Sequence, residues 1–227
     1  MAGVAGYVAG REAPPPRQPA EVQRLGPEPG EPVTEYLARA RTSVPARDAG
    51  QVWALVQLAA PLDTEAAARL VSSPLVSSPS VSGSVRLSRV VFRVPLPRVQ
   101  TALVTRELSG QRPAEELAGA QLWAADERAA AGQRAAADGA ARAAAVAAAE
   151  ADALRAAGCA CVLAMLVRAD RAGLDALAAQ PAVRAVHAAT PDTPLPSIAT
   201  SPLLPEQTVV AGQVPDDGPL PTPEPSR

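Results

Sequence analysis

Cys159 and Cys161, one residue apart, form the most distinctive spacing in this 227-residue chain. On a strand, positions i and i+2 share a face, so the two thiols would meet a metal or an oxidant together. Tetrahedral zinc needs two further ligands, and the chain holds one histidine, His187, and no second cysteine pair. A Cys-x-Cys disulfide would close a very small ring, and a regular strand holds its side chains too far apart for it. The expectation is a pair of buried core thiols acting as small hydrophobes, with a redox pair as the alternative. No metal or cofactor is expected.

Arg86, Arg89 and Arg93 lie in one short stretch, with Arg98 just beyond. Arg89 and Arg93 fall on one face of an extended segment and Arg86 on the other. They read as charges that protect a sheet edge, or alternatively as a surface for an anion or an acidic partner. His187 has no neighbouring nucleophile, and no G-x-S-x-G elbow is present. The carboxylates are scattered: Glu115 and Glu116 follow Pro113, where the positive end of a helix would favour them, and Asp216 and Asp217 lie near the end. No paired acid and base emerges, and no glycine-rich loop opens a helix after a strand.

The 21 basic residues are all arginine, and asparagine is absent too. With one Phe, one Ile and two Tyr, this matches the codon usage of a high-GC bacterial genome. The absence of lysine excludes Schiff-base, P-loop and kinase lysines. A net charge of -2, with arginines spread along the chain, argues against nucleic-acid binding. The chain is not expected to be an enzyme.

The elements that must carry these residues alternate. Gln51–Ala59 reads as a strand with Val52, Ala54, Val56 and Leu58 on one face and Trp53 and Leu55 on the other. Asp63 caps a helix over 64–72, and 72–84 is a Ser/Pro/Gly loop. Val85–Val94 is a second strand, and 99–108 is an extended segment that folds back. Pro113 opens an alanine-rich stretch to 157. About 45 residues at about 1.5 Å each would span roughly 67 Å, so a break near 132–140 is expected, giving a helical hairpin. Leu117, Leu122 and Trp123 would anchor its first limb, and Val146 and Leu154 its second. Cys159–Arg168 is the most apolar strand. Asp170 caps a helix over 171–180, and 183–188 is a last strand.

Without the 113–157 insertion and the 99–108 segment, two βαβ units remain, the order of a ferredoxin-like α+β sandwich. Its first and third strands would be central, and its second and fourth would lie at the edges. Residues 170–189, with their L-x-x-L-x-x-x-P-x-V pattern, resemble the terminal helix-strand unit of subtilisin-propeptide and inhibitor-like domains. That resemblance implies the same sandwich, with protease inhibition as an alternative function. It covers about 20 residues of mostly structural Leu, Pro and Val.

Flanking the 48–189 domain, 13–47 reads as a Pro-rich stalk with a short helix over 34–43, and 190–227 as a disordered Pro-rich tail. Residues 1–12 begin with ten residues free of charged side chains that end at Arg11. A bilayer span needs about 20, so they read as the remnant of a membrane anchor. The expected role is non-enzymatic: an extracytoplasmic interaction or structural domain of a single-pass cell-membrane protein, contacting another protein through the hairpin or a sheet edge. The alternatives are a cytoplasmic soluble protein and an anion-sensing module. If the start lies inside an anchor, the codons upstream of Met1 will encode a further apolar run; an immediate stop codon there would refute it.

Overall fold

The computed structural model describes residues 22–45, 50–73 and 85–221. The expected anchor at 1–12, most of the 72–84 loop and the last residues of the tail lie outside the described residues. No helix among the described residues is long and apolar enough to cross a membrane.

The fold is mixed α/β. β2 (Val52–Leu62), β3 (Arg86–Phe92), β4 (Val104–Glu107), β5 (Val162–Ala169) and β6 (Val183–Ala188) form a sheet of order β4-β3-β5-β2-β6. Every neighbouring pair in it is antiparallel. A separate parallel pair joins β1 (Gln23–Leu25) to β7 (Ile198–Thr200). Five helices accompany them: α1 (Val33–Ser43), α2 (Thr64–Ser72), α3 (Pro113–Ala137), α4 (Ala141–Arg155) and α5 (Arg171–Ala178).

β2 and β5 are central because they are apolar on both faces. Val52, Ala54, Val56 and Leu58 of β2 join Met165 and Val167 of β5 in the main core, beneath α2, α3 and α5. Leu55, Ala164 and Leu166 point the other way, where Leu25 of β1 and Ile198 of β7 cover them. Both short helices start as their sequences require. Asp63 Oδ1 accepts the Ala66 N–H at 2.7 Å, and Asp170 Oδ1 accepts that of Gly173 at 2.9 Å.

Three expectations need correction. Residues 190–221 are not a loose tail: they run back over the sheet, and Ser201 donates its N–H to Leu25 O at 2.8 Å. The apolar second face of the sheet demands such a cover. β3 is not an edge strand, because β4 pairs outside it. The hairpin breaks at Asp138–Ala140, inside the expected window. A Cβ at Gly132 would make ordinary contacts with Ala144 O at 3.4 Å and Ala147 Cβ at 3.5 Å across the hairpin. Of the expected anchors, Leu117, Val146 and Leu154 are buried, Trp123 is half-buried, and Leu122 points to solvent.

Glu116 turns back over the start of α3. Its carboxylate accepts the N–H groups of Ser109, Gly110, Gln111 and Arg112 at 2.7–3.0 Å, and the Ser109 hydroxyl at 2.7 Å. Burial pushes this carboxyl upward, but the donors from Arg112, Ser109 and Gly110 outweigh it and hold it at about 2. A carboxylate held below its unfolded value adds stability above pH 4.5, lost as pH falls toward 2. Glu116→Gln is expected to cost about 1–3 kcal/mol at neutral pH in urea unfolding and to flatten acid unfolding over that window; an unchanged acid profile would refute the assignment.

Candidate functional site

The four arginines do not share an open surface. Arg86 Nε donates to Ser109 O at 3.0 Å. Arg89 is nearly buried; it pairs with Glu107 at 3.0 Å and donates to Ile198 O at 2.9 Å. Arg93 is 4% exposed and pairs with Glu206 at 2.6 Å. Arg98, at φ 56, is exposed and donates through Nε to Asp217 Oδ1 at 2.8 Å. Each of the four arginines thus has a partner within the chain. Glu107, Glu206 and Asp217 supply the negative partners, each at least 18 positions from the arginine it pairs with.

Two of these ties frame a groove. The turn after β3 and the segment 206–215 enclose about 560 Å³, with Arg93 and Glu206 on one side and Leu96, Pro97, Val209 and Val214 among the lining residues. Val209 is 75% exposed and Val210 46%, so apolar surface is presented to solvent here. The far wall is held rigidly. Gln100 Nε2 donates to Val214 O at 2.7 Å, Gln100 N–H to Asp216 Oδ1 at 3.1 Å, and Arg142 reaches Asp216 at 3.1 Å. Gly218 donates its N–H to Arg98 O at 2.7 Å. A Cβ at Gly218 would lie 2.2 Å from Pro97 O, so only glycine lets the strap close on the turn.

His187 is on β6 as expected, but it is buried rather than displayed. Its Nδ1 accepts the Gly26 N–H at 3.0 Å, and Tyr36 Oη lies 3.5 Å from the same nitrogen. Gln57 donates through Nε2 to Tyr36 Oη, and its Oε1 accepts the Leu203 N–H at 2.6 Å. Sequence reasoning missed Gln57 altogether; its one signal is a polar residue in an otherwise apolar strand. Burial pushes the Tyr36 phenol up to about 12, against the pull of its Gln57 hydrogen bond. Burial, and then the Arg39 guanidinium, push the imidazole down to about 4, against the pull of Glu31. Neutral His187 is what the network requires, because Nδ1 must accept.

Cys159 and Cys161 lie outside β5, in the link from α4. Gly158, at φ 72, turns the chain. Cys161 then donates its N–H to Cys159 O at 2.9 Å, a γ-turn that brings the Cα atoms to 5.3 Å. The two sulfurs are joined in a disulfide. The expectation that geometry forbids this bond assumed a strand, and the turn removes that assumption.

No group of His, Cys, Asp and Glu among the described residues is arranged to hold a metal ion. Comparison with protein-family models, characterised proteins and solved structures finds no match to this chain.

The buried imidazole sets a pH dependence. Below pH 6.5 the unfolded chain binds a proton at His187 that the folded chain refuses down to about 4. Stability is therefore expected to be full above pH 6.5 and to fall by up to about 1.4 kcal/mol per pH unit between 6.5 and 4. Urea titrations of the native chain and His187→Gln across pH 5–6.5 check this; an equal slope in both would refute it.

Proposed function

We propose that this chain is a non-enzymatic interaction module of a bacterial single-pass membrane protein, and that it takes an extended segment of another protein into the groove beside Val209. The observation that carries this reading is the groove itself: about 560 Å³, with solvent-facing valines and an Arg93–Glu206 pair to orient polar backbone. His187 supports the non-enzymatic part, because its imidazole is committed to the Gly26 N–H. The membrane part rests on the apolar start of the sequence and the Pro-rich run behind it.

We read the four strands β3-β5-β2-β6 as a ferredoxin-like sandwich with β4 added at one side. Its support is the order in the sheet, in which β5 lies between β3 and β2, and β2 between β5 and β6. The groove then sits beyond the end of β3, outside the sandwich proper.

Selection of peptides from a displayed library against the purified chain tests the function. Enrichment of apolar extended peptides is expected, with Val209→Glu weakening their binding about tenfold or more. Val209 is an exposed side chain, so this variant should fold normally. No enrichment, or enrichment indifferent to Val209, would overturn the reading.

A further inference from the structure

The cystine at the end of α4 does not act where a structural cross-link would. A disulfide stabilises a fold mainly by closing a loop in the unfolded chain, and the benefit grows with loop length. Cys159 and Cys161 are separated by two positions. This loop is among the shortest a disulfide can close, so it restrains the unfolded chain least. The bond joins no two elements of the fold, because both cysteines lie in the same link between α4 and β5.

The two sulfurs are also unequal in access. Cys161 is 1% exposed and sits in the main core, and its carbonyl accepts the Arg93 N–H at 2.8 Å, which locks it to β3. Cys159 is half-buried, and its neighbours Ala157, Gly158 and Ala160 are exposed. Cys159 packs against the same core from its margin, so it is the more accessible member of the pair and Cys161 the sheltered one. A pair used for exchange needs this arrangement: an accessible sulfur that is attacked and a sheltered one that leaves and returns.

We propose that Cys159 and Cys161 form a thiol–disulfide exchange site for a dithiol on another protein or peptide. A substrate thiolate attacks Cys159 Sγ, forming a substrate–Cys159 bond and breaking the Cys159–Cys161 bond. Cys161 Sγ leaves as a thiolate and takes a proton from solvent. The second substrate thiolate then attacks the substrate sulfur of this mixed disulfide. The substrate disulfide forms, and Cys159 Sγ departs and is protonated. The substrate dithiol loses two electrons and two protons, and the cysteine pair gains them.

The test uses the full chain, oxidised, with reduced dithiothreitol as the probe dithiol. Intact mass and thiol titration are expected to show that the native, folded chain consumes one equivalent of dithiothreitol and gains two thiols. Single variants are then exposed to oxidised glutathione. Cys161→Ser keeps the accessible sulfur and is expected to form a glutathione adduct about tenfold or more faster than Cys159→Ser. Cys161→Ala, which leaves a small apolar side chain in the core, repeats the measurement if the serine variant loses its circular dichroism. The proposal is overturned if the purified chain carries two thiols that no disulfide oxidant pairs, if dithiothreitol reduces the bond only after denaturation, or if both single variants react at the same rate.

Discussion

A sheet that is apolar on both sides must be covered on both sides, and the rest of this structure follows from how the second cover is attached. Helices α2, α3 and α5 close one face. The other is closed by residues from the two flanks of the chain. Gln57 joins them to the sheet. It is fully buried in β2, and its amide donates a hydrogen bond through Nε2 to Tyr36 Oη of α1 and accepts one at Oε1 from the Leu203 N–H. Tyr36 and His187 extend the same network to the Gly26 N–H, next to β1. A buried amide left without partners would cost about 1–3 kcal/mol. Gln57 is tolerable only with both flanks in place, and the flanks hold their positions because Gln57 fixes them. Leu25 and Ile198 then bury the face itself, each side chain contributing about 1.5–3 kcal/mol.

The alanine-rich hairpin obeys a different rule. Alanine buries little area, so the two helices must approach closely and rely on a few specific ties. Arg128 and Glu150 pair at 2.7 Å, with Glu150 almost fully buried, and Glu150 also accepts the Ala102 N–H at 2.5 Å. Gln121 donates to Leu154 O at 2.7 Å. This one carboxylate therefore ties both limbs of the hairpin to the segment that leads into β4.

Most of the domain was legible in the sequence because its signals are local. Alternation placed β2 on two cores with the correct side chains on each, and Asp63 and Asp170 marked two helix starts. The break between α3 and α4 followed from length. What was not legible depends on distant partners. β1 and β7 are three residues each, too short for any period, and they sit in Pro-rich segments whose composition suggests disorder. They are ordered by burial against Leu55 and Leu166, which no local pattern encodes. Arg89 and Arg93 looked like edge charges because Glu107 and Glu206, which neutralise them, are remote in sequence from the face they share. Cys159 and Cys161 were assigned to a strand because they are continuous with its apolar run. The turn after Gly158 that places them outside β5 has no counterpart in that run.

The parallel pairing of β1 with β7 also dictates when the fold can be completed. β1 is among the first described residues to be synthesised, yet the strand it pairs with lies about 175 positions later. Until residues 198–211 leave the ribosome, β1 lacks β7, Gln57 Oε1 lacks the Leu203 N–H, and Leu55 and Leu166 lack the Ile198 cover. Because the central β5 is itself made late, the helix-covered sheet stands with one apolar side open only between completion of β6 at Ala188 and arrival of residues 198–203. Contacts of such long sequence separation form late and slowly, and uncovered apolar sheet invites aggregation. The cover on this side is thus the last part of the described fold to close.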